Sequence, residues 1–177
     1  MIIGCSTKVM KTIYKIRRLT QLDEPFLRDM LYYALYVPKG QPPLPRETIY
    51  EPKIRRYVEN LGLPDDIGCI AIGGDIPIGA AWLRKFPEDN QGFGYIDNMT
   101  PEISIALSPE YRGKGIGSAL LNYLFDLVKE RYASMSLSVS QENPARRLYE
   151  RIGFQIVKQE GDSLIMLKYL NKKKSLI

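Results

Sequence analysis

Residues 102–108, EISIALS, form an apolar strand pattern that runs through a short proline-led loop into RGKGIG and then directly into a helical pattern. Ile116, Ala119, Leu120, Tyr123, Leu124, Leu127 and Val128 recur at helical spacing, so one buried face starts near Ile116. The first turn of that helix therefore lies among the glycines. A helix N-terminus offers up to about four unpaired amides and roughly half a positive charge, and glycine lets a ligand approach them without a Cβ in the way. Arg112 and Lys114 add cations beside it. A strand ending just before such a loop aims a phosphate-bearing ligand at the C-terminal edge of a sheet.

Alternating glycines alone also serve a tight strand-to-helix turn with no ligand, so the neighbouring residues must decide. Lys114 precedes the last two glycines, which removes the phosphate-loop pattern of nucleotide triphosphatases. Gly113, Gly115 and Ser118 approximate a dinucleotide fingerprint, but SPEY separates the strand from the glycines.

The rest of the chain predicts a mixed sheet with helices on its faces. Ile13 to Leu19 reads as a strand, 21–37 as an amphipathic helix, 38–45 as a proline-rich loop and 53–61 as a second helix closed by Gly62. Two apolar runs from Ile67 are joined at Gly73, Gly74 and Asp75 as a hairpin, with 89–100 as polar loop. After the central strand and long helix come a strand at 136–140, a short helix in NPARRLYERIG and a closing hairpin around Glu160 to Asp162. The expected order is β-α-α-β-β-β-α-β-α-β-β. With 45% apolar residues in 177, one domain spanning 1–177 is expected, residues 1–11 being flexible or a strand extension and 171–177 a basic tail.

Composition excludes several chemistries. The chain has no histidine, which removes the commonest base, the commonest metal ligand and every Ser-His or Cys-His scheme; no metal is expected. Cys5 and Cys69 are the only cysteines and form no close pair, so a reducing cytoplasm is the expected setting. No apolar run reaches the roughly 18 residues of a membrane span. The net charge of +5 suits an anionic ligand, but it is not gathered into an aromatic-interleaved basic motif, so no nucleic-acid partner is expected.

Residues 112–117, RGKGIG, match the glycine signature of the GNAT family of acetyl-CoA-dependent N-acyltransferases, preceded by a strand and a loop as in that family. NPARRLYERIGF, 143–154, resembles the family's second hallmark, with Asn143, Tyr149 and Gly153-Phe154 at matching places. The resemblance implies an α/β (α+β) fold with a mixed, mostly antiparallel central sheet flanked by helices. It implies that Arg112, Gly113, Lys114, Gly115, Ile116, Gly117 and Ser118 hold the coenzyme A pyrophosphate through their backbone. The main chain of Ile105, Ala106 and Leu107 would pair with the pantetheine arm. Asn143 would contact that arm while capping its own helix, and the Tyr149 hydroxyl would protonate the leaving thiolate.

The expected function is acetyl transfer from acetyl-CoA to an amine by direct attack, in a monomer or homodimer. An alkylamine with an ordinary pKa of about 10.4 is mostly charged at neutral pH, so a base or a water chain is needed. Glu102 is the first candidate and Asp97 the second; a solvated strand end would equally explain Glu102, and a packed core would explain Tyr149. The resemblance implies an acceptor side lined by the first two helices and the strand before the central one, and in that region this sequence is rich in aromatics that can hold an amine, with Tyr32, Tyr36, Trp82 and Arg84 as candidates among a wider set including Tyr33, Tyr50 and Tyr57. A catalytically silent acyl-CoA sensor of the same fold is the competing reading.

Overall fold

The computed structural model describes residues 13–170, so residues 1–11, Cys5 among them, and the expected basic tail lie outside the described residues. In chain order the elements are β1 (Tyr14–Arg18), α1 (Glu24–Ala34), α2 (Pro52–Arg55), β2 (Ile67–Gly73), β3 (Ile76–Arg84), β4 (Glu102–Leu107), α3 (Ile116–Val128), β5 (Ser134–Ser140), α4 (Arg146–Arg151), β6 (Gln155–Glu160) and β7 (Ser163–Tyr169). This is the order expected from the sequence. None of the described helices is long and apolar enough to cross a membrane.

The strands form one seven-stranded sheet in the order β1-β2-β3-β4-β5-β7-β6. Every neighbouring pair is antiparallel except β4 and β5, which run parallel and share a single register pair, Glu102 with Ser136. Alternation along the strands divides the core between two faces. Leu83, Ile103, Met135 and Leu137 pack with α3 on one face; Ile70, Ala80, Trp82 and Ala106 pack with α1 on the other. On α3, Ile116, Leu120, Leu121, Leu124 and Val128 are fully buried, each stabilising the fold by about 1.5–3 kcal/mol. Ala119, Tyr123 and Leu127, expected on that face, flank it and are half-buried.

Two helices are shorter than the sequence predicts. The stretch before α1 forms a 3-10 turn at Gln21–Asp23, where the Asp23 carboxylate accepts the Thr20 amide at 2.8 Å and the Arg17 guanidinium at 2.7 Å. The helix expected over 53–61 is α-helical only at Pro52–Arg55. Its later carbonyls are claimed by side chains of β3. Arg84 donates to the carbonyls of Arg56 at 2.6 Å and Glu59 at 2.7 Å, and the Trp82 indole donates to that of Tyr57 at 2.9 Å. A carbonyl so occupied is drawn away from the helical ladder, and the chain leaves through Asn60 at φ +54° and Gly62 at φ +115°.

Candidate active site

Beyond the Glu102–Ser136 pair, β4 and β5 separate, so residues 103–107 have no strand partner on the β5 side. A cavity of about 450 Å³ occupies this fork and reaches under the end of α1. Glu102 to Ile105 line one arm of the fork and Leu137 to Ser140 the other, with Asn143 and Tyr149 closing the far side. Main-chain groups that a continuous sheet would consume are thus left facing a hollow.

The glycine loop follows the end of β4. Gly113 and Gly115 sit at φ +74° and +79°, a left-handed backbone that side chains disfavour, and Gly115 is the N-cap of α3. A Cβ built on either would meet nothing within 4 Å, so the loop faces open space rather than protein. Arg112 donates to the carbonyls of Leu107 at 3.2 Å and Tyr33 at 3.3 Å, which ties the loop to β4 and to α1. The Lys114 ammonium lies 5.2 Å from the Tyr111 ring centroid. Ile116 is buried in the core and Gly117 packs against Leu148 and Ile105, so both present only main chain to the loop; Ser118 is half-buried in the first turn of the helix. Ile105 lines the cavity, whereas Ala106 is buried on the α1 face and Leu107 half-buried at the strand end.

Glu102 is only 6% exposed. Burial pushes its carboxyl up to about 7, against the opposing pull of the Tyr57 hydroxyl, the Gly94 amide and Arg56. Oε1 accepts the Tyr57 hydroxyl at 2.9 Å, while Oε2 is buried without a hydrogen-bond partner. Tyr149 is also buried, at 8% exposure, and burial lifts its phenol to about 12. A carboxyl that exchanges a proton near neutrality and a phenol that stays protonated there thus line one cavity. Asn143 lines it too, and its Oδ1 accepts the Ala145 amide at 2.9 Å as a cap for the turn leading into α4.

The remaining sequence candidates scatter. Tyr36 lines the cavity and its hydroxyl donates to the Glu142 carbonyl at 3.2 Å, linking the α1 exit to the β5–α4 loop. Tyr32 instead donates to the Leu44 carbonyl at 2.8 Å, with the Arg46 guanidinium 4.2 Å from its ring. Trp82 is 1% exposed in the core, and Arg84 is buried in an ion pair with Asp66 at 2.9 Å. Asp97 turns its own loop, accepting the amides of Met99 and Thr100 at 2.8 Å. Trp82, Arg84, Tyr32 and Asp97 therefore do not line the cavity, because each is committed to holding the protein's own backbone or core. The cavity wall beneath α1 is built instead by Tyr57, Phe93 and apolar residues of α1. Sequence reasoning places Phe93 only in polar loop and misses its place in the cavity wall; the flanking glycines in Gly92-Phe93-Gly94 are the signal that could have found it.

The model of the acetyltransferase (GNAT) family matches residues 29–154. The ribosomal protein bS18-alanine N-acetyltransferase of Haemophilus influenzae is 39% identical over 79 residues, covering 41% of this chain and 54% of the relative. The mycothiol acetyltransferase of Corynebacterium aurimucosum is 34% identical over 83 residues, covering 46% of this chain and 25% of the relative. The match thus spans about half the length of the first relative and a quarter of the second. Among solved structures, the PaiA N-acetyltransferase of Thermoplasma acidophilum in complex with coenzyme A superposes with a TM-score of 0.62 at 22% identity, covering 89% of this chain and 99% of the other. At that identity the likeness speaks for the fold.

Proposed function

The chain belongs to the acetyltransferase (GNAT) family, and on that premise we propose that it moves an acetyl group from acetyl-CoA to an amine by direct attack, in the cytoplasm. The observation that carries the reading is the fork between β4 and β5, with Glu102 and Tyr149 both lining its cavity.

The residues present fit the coenzyme. The open space over Gly113 and Gly115, the α3 N-terminus and the Arg112 and Lys114 cations suit a diphosphate, and the unpaired edge of β4 suits an amide-bearing arm. Main-chain amides from Arg112 to Ser118 would hold the phosphates. Ile105 to Leu107 would pair with the arm through their backbone, with Asn143 supporting it from across the fork. The bound thioester supplies the acetyl group and a thiolate leaving group.

Glu102 takes the proton of the incoming ammonium, for which a carboxyl lifted to about 7 is suited near neutral pH. Tyr149, kept protonated by burial, donates to the departing sulfur. Among the described residues Glu102 is the one carboxylate lining the cavity, which favours an acceptor carrying a single ammonium. The name of the Haemophilus influenzae relative makes a peptide N-terminus the first acceptor to assay.

Acetyl-CoA with a panel of peptides and small amines, followed by thiol release and mass of the product, tests the reading. Acetylated product that is lost in Glu102→Gln is the expected result. Coenzyme binding in calorimetry with no transfer to any amine would instead favour the silent sensor.

A further inference from the structure

The two oxygens of the Glu102 carboxyl are unlike, and the inference drawn from that difference rests on the role proposed for the residue. Oε1 accepts the Tyr57 hydroxyl at 2.9 Å, and the same hydroxyl accepts the Phe93 amide at 2.6 Å. Oε2 has no partner. The segment Gly92-Phe93-Gly94 passes so close that a Cβ on Gly92 would fall 2.0 Å from Oε2, and one on Gly94 3.0 Å from the carboxyl carbon. A phenol has one proton to give, and Tyr57 directs it to Oε1.

We propose that Tyr57 is a positioning residue: it turns the Glu102 carboxyl so that Oε2 receives the acceptor's proton, and through the Phe93 amide it holds residues 92–94 over that oxygen until the acceptor displaces them. In the proton step an ammonium N–H bond breaks and an O–H bond forms on Oε2. The electron pair stays on nitrogen, leaving a neutral amine and a neutral carboxylic acid. An ionised oxygen buried without a well-formed hydrogen bond is unfavourable, so an ammonium that reaches Oε2 gains a charge-assisted hydrogen bond stronger than the pull of the Gly94 amide that it displaces. Glycine at 92 and 94 puts only backbone directly over the carboxyl, while the Phe93 ring between them rests on Tyr57.

The setting of the carboxyl supports this. Tyr57 is buried, 4.8 Å from the Phe86 ring centroid and stacked within 6° of the Phe93 ring at 6.0 Å. The ionisable groups around Glu102 are Tyr57 and Arg56 after α2, Tyr149 and Tyr36 across the cavity, and Arg84, its register partner on β3, which is paired with Asp66. The Tyr57 bond favours the ionised carboxyl, so its loss moves titration upward.

Tyr57→Phe tests the assignment while keeping the ring and the bond from Trp82 to the residue 57 carbonyl. In the free protein, carbon-detected NMR should show Glu102 titrating about one unit higher, and the Phe93 amide exchanging roughly ten-fold faster. The acid limb of the kcat/KM profile should move with the titration. Gly92→Ala should speed Phe93 exchange with Tyr57 intact, because its Cβ has no room beside Oε2. Unchanged titration and exchange in Tyr57→Phe overturn the inference. A shifted titration with an unmoved activity limb overturns the base role of Glu102 and leaves the hold of Tyr57 on the carboxyl standing.

Discussion

The Tyr57 hydroxyl lies 2.9 Å from the Glu102 carboxylate although 45 residues separate them in the chain. The contact exists because Trp82 and Arg84 on β3 capture the carbonyls of residues 56, 57 and 59 and pin that turn against the sheet. A core tryptophan and a buried arginine thereby place a ring beside the carboxyl at the base of the fork. Packing on β3 reaches the proposed chemistry through a neighbouring backbone.

Removing the carboxylate should cost the reaction its base. Glu102→Gln is expected to lower kcat/KM by about a hundred-fold or more and to abolish the acid limb of the pH profile, with coenzyme binding retained. Steady-state assays across pH, with calorimetry, check both parts.

The same residue should leave a mark on stability. Its folded value of about 7 lies above the ordinary carboxyl value of 4.5, so its stabilising contribution is complete below about 4.5 and is lost as pH rises through 7. The difference corresponds to roughly 3 kcal/mol. Denaturant melts of the parent protein and Glu102→Gln should therefore diverge between pH 5 and 8 by about that amount, with the variant showing the flatter curve.

Tyr149→Phe should lower turnover by about a hundred-fold while leaving the melt nearly unchanged. Its hydroxyl makes no hydrogen bond among the described residues, so its removal leaves no protein group unpaired, and its ring contact with Phe154 is kept. A large drop in melting temperature with normal turnover would mark a packing residue instead.

Gly115→Val should weaken coenzyme binding well beyond its effect on folding. The position lies at φ +79°, where a side chain costs about 1–2 kcal/mol, and its Cβ would point into the open space beside the α3 N-terminus. Calorimetry with coenzyme A, beside a melt, separates strain from lost binding.

Arg84→Ala should destabilise the protein by about 3 kcal/mol, because Asp66 would lose its cation and keep only the amides of Gly62 and Leu63, and two carbonyls would lose their donor. The expected companion is a displaced Tyr57 and lost transfer, although Arg84 does not line the cavity. Denaturant melts and activity measured on the folded fraction check the pair of effects.

Local pattern in the chain determined the element order, the start of α3 at Ile116 and the loop carried by Gly113 and Gly115, because helical periodicity and backbone freedom are properties of neighbouring residues. Tyr149 and Asn143 were legible as candidates from the second motif, and Glu102 from its place at the start of the central strand. The cavity wall beneath α1 was not, since Trp82 and Arg84 look as available as Phe93 until the sheet shows which of them are occupied by carbonyls and a carboxylate. The shortened second helix has the same cause: donors on β3 displace the local ladder. Tertiary structure alone decided where β4 and β5 part, which Glu102 oxygen is left bare and what passes over it, because those outcomes depend on strands and loops meeting across dozens of residues.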